Sequence, residues 1–525
     1  RVPSHGRAAR KRTPALRSHP SSGVVDVLVE CIQAILLVYE LYGFDSKGYI
    51  LKKSLAHWRT CAEQCGWLKF MKYKLAAFFA YHIDQPIPPC PFRAPDNPSV
   101  LLGGRAYRWQ HVILGTDDRL SFLTSILYAK KGLPRPDPSM LRAAEVDTVA
   151  KLTTAASQPR YVSALPWYVT EESRHLRPVV VSKRLLLDEI RRTVSELFDG
   201  DVKKDDVLTS FIPSFAANST HTRRQFGTLG KLLDDGLLYP EPRCFPKLRR
   251  SGLEDSSEGI RHESVILENA DLIKEQFSLL YDSVIERAVD EWPLASPVGL
   301  SESLKVRVIT RGPAYTYMAL KPFQRYFWKQ LYRNRVFKLI GQPVDEDLLK
   351  TVFGSSPLKE GQAFLSVDYE AATDNLASWA SDECVAAIGS ATGLFTRDSP
   401  LGKLIVRSLT GHLLASEGRL KLQRQGQLMG AIISFIVLCI INAAVCRVSF
   451  EIGTGRKFKL DQLPLLINGD DAVMRCNEHS KYAWERISAF VGLRPSIGKV
   501  YYSPTYMNVN STSFTYVPRV GFMHA

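Results

Sequence analysis

The sequence predicts a globular α+β fold, in which short antiparallel strands pack against helices. Of the 525 residues, 45% are hydrophobic, which excludes a wholly disordered or fibrous chain. An apolar run that ends at Asp368 predicts a strand, and two apolar runs around Asn468-Gly469 predict a hairpin. Between them, residues 431–446 carry no charge but are too few to cross a bilayer, which predicts a helix buried on all sides.

The charge of the chain favours a polyanionic partner. With 68 basic and 53 acidic residues, the formal net charge is +15. We therefore expect nucleic acid as the first candidate partner and an anionic membrane surface as the second. The nine cysteines are widely scattered and odd in number, so they do not predict a secreted disulfide framework and favour a reducing compartment.

Residues 1–23 are predicted to be a basic disordered arm, because the first 25 residues contain six Arg or Lys and no acid. Such an arm contacts phosphates without sequence preference. The alternative is a mitochondrial transit peptide, which has the same Arg-rich, acid-poor composition. Residues 24–98 are predicted to form an N-terminal helical extension that ends in a Pro-dense connector. Its His57, Cys61 and Cys65 lie four residues apart, but this spacing matches zinc sites poorly, and cysteines that fill the core are the favoured interpretation.

Two short segments carry carboxylates at positions that suggest chemistry. Asp368 follows four mostly apolar residues, so it must be solvated, paired or bound to a cation. Asp374 lies six residues later, where it is either a second functional carboxylate or simply the N-cap of the helix that follows. Asp470 and Asp471 occupy the predicted hairpin tip, where adjacent carboxylates repel each other unless a cation lies between them. Such oxygen ligands suit Mg²⁺; the alternative is a surface hairpin without function, since Gly-Asp-Asp also occurs by chance.

A third segment places glycines before the buried helix. Gly426 and Gly430 bracket a loop that allows close approach to a sugar-phosphate chain. Ser434 and Asn442 are polar groups on an otherwise apolar helix, and buried polar groups need partners. A nucleotide ribose is one candidate partner; the alternatives are back-bonding within the helix for Ser434 and core hydrogen bonding for Asn442.

The three segments, in this order, resemble motifs A, B and C of viral RNA-dependent RNA polymerases. The pattern GQxMGxxxSFxxLCxxN at residues 426–442 is similar to that of ourmia-like (botourmiavirus) and narnavirus replicases. Residues 304–312 (LKVRVITRG) resemble the basic motif F, residues 491–502 motif D and residues 503–511 motif E. The resemblance covers residues 215–515 and is specific because six motifs occur in order.

The resemblance implies a right-hand polymerase fold. Residues 99–360 would form the fingers, including motif F, and residues 361–515 a palm whose antiparallel sheet is backed by helices. Within this stretch, residues 395–424 are a candidate fingers insertion. The last ten residues, 516–525, would begin a truncated or minimal thumb.

The resemblance also implies roles for individual residues. Asp368 and Asp470, assisted by Asp471, would bind two Mg²⁺ ions, with Mn²⁺ as a substitute, and Lys499 would protonate the leaving pyrophosphate. The glycine loop would approach the substrate through Gly426 and Gly430. The residues implied in recognition of the incoming nucleotide are Asp374, Ser434 and Asn442 at the ribose, and Lys305, Arg307 and Arg311, which share one face of a predicted strand, at the triphosphate.

The implied function is an RNA-directed RNA polymerase that copies a viral single-stranded RNA genome by two-metal nucleotidyl transfer. Its partners would be template RNA, nascent RNA and NTPs. It would work as a monomer in a ribonucleoprotein with its own genome, without stable membrane insertion, in the host cytoplasm, with the mitochondrion as the alternative.

Two rival functions are weaker. A reverse transcriptase usually excludes the ribose 2′-hydroxyl with a bulky residue where this chain has Asp374. A non-enzymatic RNA-binding or coat-like protein would explain the basic charge but not the carboxylates at a strand end and a hairpin tip.

Overall fold

The computed structural model describes residues 22–156, 159–164, 179–198, 202–237, 277–496 and 498–525. The chain divides into two compact units, Arg1–Arg135 and Pro136–Ala525. The predicted basic arm lies almost entirely outside the described residues. The boundaries predicted for the extension, fingers, palm and thumb stay predictions.

The described part of the first unit is helical. Aromatic side chains fill its core, with Tyr39 edge-on to Phe122 and Trp58 edge-on to Phe70. Its helices are α1 (Ser22–Leu41), α2 (Leu51–Cys65), α3 (Trp67–His82), α4 (Arg105–Ile113) and α5 (Arg119–Ala129).

The zinc alternative finds no support in this unit. His57 Nε2 lies 3.0 Å from Asp96 Oδ1, and the buried Lys74 ammonium lies 2.6 Å from the same oxygen. Burial raises the pKa of the Cys61 thiol to about 11, which disfavours the thiolate that a metal needs. Among the described residues, no group of three or more His, Cys, Asp or Glu side chains is arranged to hold a metal ion.

The second unit mixes helices with four small sheets, which agrees with the predicted α+β class. Its described helices are α6 (Pro138–Thr153), α7 (Lys183–Leu197), α8 (Lys204–Val207), α9 (Gly227–Asp234), α10 (Phe277–Asp290), α11 (Ala314–Ala319), α12 (Lys321–Arg333), α13 (Glu346–Phe353), α14 (Ala372–Asn375), α15 (Ser378–Thr392), α16 (Pro400–Thr410), α17 (Ser434–Thr454) and α18 (Glu478–Phe490). Its described strands are β1 (Tyr161–Ser163), β2 (Val180–Ser182), β3 (Leu294–Glu302), β4 (Lys305–Arg311), β5 (Gln362–Val367), β6 (Leu413–Ser416), β7 (Arg419–Leu422), β8 (Leu465–Asn468), β9 (Asp471–Asn477), β10 (Tyr501–Ser503), β11 (Tyr506–Val509), β12 (Thr512–Val517) and β13 (Gly521–His524).

The central sheet has the strand order β10-β5-β9-β8, with every pair antiparallel. Its side chains alternate between two apolar cores, as the two-residue period of a strand requires. Phe364 and Val473 face the core shared with the sheet β11-β12-β13, whereas Leu365 and Met474 face the core shared with the helices. Both faces of the sheet are therefore buried, and the polar residues of its longest strand, Asp471, Arg475 and Asn477, are only partly buried.

The predicted buried helix is α17, which lies against β8 and β9 and packs along α18. It begins at Ser434, three residues after the predicted start, and it is the helix among the described residues that is long and apolar enough to cross a membrane. Of its apolar window, 89% is buried inside the protein, so the prediction of a core helix is confirmed. The buried Arg447 is neutralised by ion pairs with Glu189 and Glu196.

A second sheet has the strand order β4-β3-β6-β7. The hairpin of β3 and β4 is antiparallel, whereas β6 joins β3 in parallel. Helix α6 packs on β3, where Glu145 Oε1 accepts a hydrogen bond from Gly299 N–H at 2.6 Å. This sheet therefore fixes the predicted basic strand, β4, against a helix of the second unit.

Candidate active site

Two acidic residues on neighbouring strands meet at one edge of the central sheet. Strands β5 and β9 pair so that Val367 lies opposite Ala472. Asp368 directly follows Val367, and Asp470 lies in the short turn before β9, so both reach the same edge. Burial raises the pKa of the Asp470 carboxyl, and the negative charge of Asp368 raises it further. The structure thus brings two of the predicted carboxylates together.

The hairpin turn lies one residue later than predicted. Its two central residues are Gly469 and Asp470, while Asn468 pairs with Asp471 at the strand ends. Asp471 is therefore the first residue of β9 rather than part of the turn. Gly469 has a φ of +70°, and a Cβ there would lie 2.9 Å from Phe435 Cε2 on α17. Glycine is required because the turn is seated directly on this helix.

Two lysines surround the carboxylates. Lys499 Nζ lies 2.9 Å from Asp368 Oδ2, and both side chains are accessible to solvent. Burial lowers the pKa of the Lys305 ammonium, and the positive charges of Arg307 and Lys499 lower it further. The negative charge of Asp368 opposes this shift. The positive charges of Lys305 and Lys499 also stabilise the ionised form of Asp470. The edge of the sheet therefore combines two carboxylates with two ammonium groups.

The basic residues of motif F lie on one strand, as predicted. Lys305, Arg307 and Arg311 alternate along β4 and so share one of its faces. Arg307 Nε donates a hydrogen bond to Glu302 Oε1 at 2.9 Å. Arg311 Nε is buried and finds no hydrogen-bond partner among the described residues.

The glycine loop is held on two sides by backbone hydrogen bonds. Gly426 N–H donates to Leu376 O at 3.0 Å, next to the segment that carries Asp374, and Thr310 N–H on β4 donates to Met429 O at 2.8 Å. Gly430 has a φ of +124°, and a Cβ there would lie 2.5 Å from Thr310 O. The loop therefore connects the segments of motifs A and F.

Asp374 lies inside the short helix α14, and α15 begins only at Ser378, so the N-cap alternative is wrong. Burial raises the pKa of Asp374 to about 6. The Thr373 hydroxyl and the Lys151 ammonium oppose this rise, and Asp147 adds to it. Lys151 and Asp147 form an ion pair of 2.7 Å on α6. Asp374 is thus a partly buried carboxylate that is mostly ionised at neutral pH.

Replacing Asp374 with asparagine should stabilise the fold at pH 8 by up to about 3 kcal/mol. The folded pKa is raised, so the folded state binds more protons between pH 3.8 and 6, and stability falls as pH rises through that window. Urea unfolding between pH 3.5 and 8 measures the difference, which should vanish at the acidic end. A variant that gains nothing at pH 8, or gains equally at every pH, would contradict a buried ionised carboxylate.

Ser434 and Asn442 are not free polar groups, because both are buried and hydrogen-bonded. Ser434 Oγ donates to Gln427 Oε1 at 2.8 Å and is buried. Asn442 is fully buried, where its Nδ2 donates to Gly469 O at 3.0 Å and its Oδ1 accepts from the Tyr369 hydroxyl at 2.9 Å. Core hydrogen bonding, the alternative for Asn442, describes this arrangement better than direct ribose contact. Both residues support the neighbouring loop and turn instead.

The acidic edge fits a divalent cation. Mg²⁺ usually takes one or two carboxylates together with substrate phosphates, and Asp368 and Asp470 are donors of this kind. Their mutual repulsion is a second argument, because a cation between them would relieve it. The Lys499 ammonium on Asp368 Oδ2 shows that this oxygen accepts a positive group.

Comparison with known proteins bears on the family. No protein-family model matches the chain. Over 224 residues the chain is 35% identical to a protein named RNA-dependent RNA polymerase from Ourmia melon virus (isolate Melon/Iran/VE9). The predicted resemblance to ourmia-like viral polymerases is confirmed. The match covers 40% of this chain and 26% of the relative, so the chain spans about a quarter of the length of that ourmia-like polymerase.

Helix α6 is an element of the site that the sequence motifs do not include. Leu152 O, at the end of α6, accepts hydrogen bonds from Arg424 N–H at 2.8 Å and Gln425 N–H at 3.1 Å. Helix α6 therefore holds the start of the glycine loop and brings its charged residues to Asp374. The sequence signal for this helix lies at its start, where Asp137 is the N-cap and Pro138 is the first helical residue.

Proposed function

We propose that the chain is an RNA-dependent RNA polymerase that copies a viral single-stranded RNA genome by two-metal nucleotidyl transfer. One observation carries the proposal: Asp368 and Asp470, from neighbouring strands, lie at one sheet edge beside Lys499 and Lys305. This combination suits a triphosphate whose charge is divided between cations and ammonium groups. The similarity to the Ourmia melon virus protein supports the same reaction class.

The proposal includes a right-hand arrangement. The sheet β10-β5-β9-β8, with α17 and α18 behind it, would be the palm, and the hairpin of β3 and β4 would belong to the fingers. The antiparallel order and the burial of both faces of the central sheet support this assignment. The thumb and the role of residues 395–424 stay predictions.

Asp368 and Asp470, with Asp471 beside them, would hold two Mg²⁺ ions, which Mn²⁺ could replace. When bound, such ions activate the attacking 3′-hydroxyl and stabilise the leaving pyrophosphate. Two carboxylates at one edge, with their mutual repulsion, support this pair of ligands. Because Mg²⁺ keeps waters and takes phosphate oxygens, the protein need not supply a complete cage.

The remaining residues would bind and orient the nucleotide. Lys305, Arg307 and Arg311 would contact the triphosphate from one face of β4. Asp374, ionised at neutral pH, would accept a hydrogen bond from the ribose 2′-hydroxyl, the group that distinguishes RNA precursors from DNA precursors. Ser434 and Asn442 would act indirectly, by supporting the loop and the turn.

In the proposed reaction, the 3′-oxygen of the nascent RNA forms a bond to the α-phosphorus, and the bond to the β-phosphate oxygen breaks. Lys499 would give its proton to the pyrophosphate as it leaves, and the 3′-hydroxyl proton would pass to solvent. The ion pair of Lys499 with Asp368 supports this role, because it holds the ammonium at the reacting edge.

Replacing Lys499 with methionine should slow nucleotide addition by about 100-fold, the lower range for loss of a general acid. Lys499→Arg is the matched variant, since it keeps a positive charge beside Asp368 but does not release a proton readily. Rapid-quench primer extension measures both rates. If the arginine variant regains the native rate, proton donation is wrong and only the charge matters.

The function itself is tested by primer extension with the purified chain, a primed single-stranded RNA template and Mg²⁺. We expect template-dependent extension with NTPs and little with dNTPs. Efficient use of dNTPs would instead favour a reverse transcriptase. RNA binding that is indifferent to Mg²⁺ and yields no extension would favour a non-enzymatic RNA-binding protein and overturn the proposal.

We further propose template RNA, nascent RNA and NTPs as partners, with the chain acting as a monomer in a ribonucleoprotein with its own genome. The net charge of +15 supports RNA as a partner. The burial of α17 supports the absence of stable membrane insertion. The host cytoplasm is the proposed location, and the mitochondrion is the alternative.

A further inference from the structure

The hairpin of β11 and β12 contacts β5 and β8, the two strands that lead to Asp368 and Asp470. Asn508 N–H donates to Ser366 Oγ at 2.9 Å, and Ser366 lies two residues before Asp368. Asn468 Nδ2 donates to Asn510 Oδ1 at 2.9 Å, and Asn468 lies two residues before Asp470. One hairpin thus reaches both carboxylate-bearing segments at matching positions.

The tip of this hairpin depends on Asn510. Val509 pairs with Thr512, so Asn510 and Ser511 are the two turn residues, with φ of +51° and +58°. Two positive φ values in a two-residue hairpin loop define a type I′ turn, for which asparagine is a favoured first residue. Asn510 therefore sets the turn and supplies the acceptor for Asn468.

These polar contacts are not needed to attach the hairpin to the protein. Met507, Val509 and Phe514 are buried in the apolar core that β11 and β12 share with Phe364 and Val473. This apolar packing attaches the hairpin but has no preferred direction of its own. Hydrogen bonds are directional, so the contacts at Ser366 and Asn468 add a fixed position to an attachment that already exists.

We infer that the β11–β12 hairpin is a positioning device for the metal-binding carboxylates, with Asn510 as its principal positioning residue. The inference rests on the proposed function. Ser366 and Asn468, the two residues that the hairpin contacts, each lie two positions before one of the carboxylates, Asp368 and Asp470. The contacts through Ser366 and Asn468 join both carboxylate-bearing segments to one hairpin and so fix the position of Asp368 relative to Asp470.

The test compares Asn510→Gly with Asn468→Ala and with the double variant. Asn510→Gly keeps the left-handed turn but removes the side-chain acceptor, and Asn468→Ala removes the donor. Ser511→Gly is the control, because it changes the same turn and leaves the contact between Asn468 and Asn510 in place. Three quantities are measured: Mn²⁺ affinity by paramagnetic resonance without nucleotide, kcat and KM in primer extension, and thermal unfolding.

Each single variant should weaken Mn²⁺ binding by about threefold to tenfold, the range for one lost hydrogen bond. The kcat should fall by a similar factor while the KM for NTP changes little. The double variant should equal the single variants, because both remove one contact. The control should match the native chain.

Additive losses, or native Mn²⁺ affinity in Asn510→Gly, would overturn the inference. A loss that follows the unfolding temperature in all variants, the control included, would reduce the hairpin to a purely structural role and also overturn it. These results are separable from failure of the proposed function, in which the native chain itself neither binds Mn²⁺ nor extends a primer.

Discussion

Replacing Asp470 with asparagine should abolish nucleotide addition, with a loss of at least about 1,000-fold in rate. The side chain lies at the turn between β8 and β9, beside Asp368, whereas the next carboxylate, Asp471, belongs to β9. Its removal takes away one of the two carboxylates proposed to hold the cations. Single-nucleotide primer extension in Mg²⁺ measures the loss.

The stability of the Asp470→Asn variant shows whether its loss of activity comes from the missing carboxylate or from unfolding of the protein. The pKa of Asp470 is raised in the folded protein, so its ionised form destabilises the fold at neutral pH. Asp470→Asn should therefore be at least as stable as the native chain at pH 7, and the gain should disappear below pH 3.8, where the carboxyl is protonated in both states. The exposed Asp461 offers a control, since Asp461→Asn should change neither property. Retained synthesis in Asp470→Asn would contradict the metal assignment.

Replacing Gly426 with alanine should lower both stability and activity. A Cβ at this position would lie 2.5 Å from Asp374 O and 2.8 Å from Leu152 Cδ2, and the backbone oxygen cannot move without displacing Asp374. We expect a cost of about 1–2 kcal/mol for the left-handed backbone and about 1–3 kcal/mol more for the overpacking. Displacement of Asp374 by about 1 Å should slow nucleotide addition by about 100-fold.

Gly418 provides a matched control for this change. It has the same φ of +73°, but a Cβ there would meet nothing within 4 Å. Gly418→Ala should therefore show the backbone cost alone and leave nucleotide addition unchanged. Thermal unfolding and primer extension on both variants measure the difference. If Gly426→Ala and Gly418→Ala lose equal stability and equal activity, the close approach of Gly426 to Asp374 does not matter for nucleotide addition.

The carboxylates were predictable because each depends on a local pattern. The apolar run before Asp368 and the turn signal at Gly469 are readable within about ten residues, and the pairing of β5 with β9 follows once both are strands. The shift of the turn by one residue was not predictable. Asn468 ends β8 and donates a hydrogen bond to Asn510, 42 positions away, and local turn preference does not include such a contact.

The contributions that were missed are all long-range. Helix α6 reaches the glycine loop through the carbonyl of Leu152, and a backbone carbonyl leaves no mark in a sequence. Asn442 was assigned to a ribose because it is polar on an apolar helix, but its partners, Tyr369 and Gly469, lie on other elements. A polar residue in a core indicates that a partner exists, and only the fold decides which one.

Helix α17 has a consequence for the newly made chain, before the second unit has closed around it. Its stretch of apolar residues is then open to lipid and to other unfolded chains. Arg447 lies within that stretch, and an arginine deep in a bilayer costs about 3 kcal/mol. The same charge becomes harmless only when α7 arrives with Glu189 and Glu196. Arg447 thus disfavours insertion of α17 into a membrane during synthesis. It also makes burial of α17 depend on the packing of α7 against it.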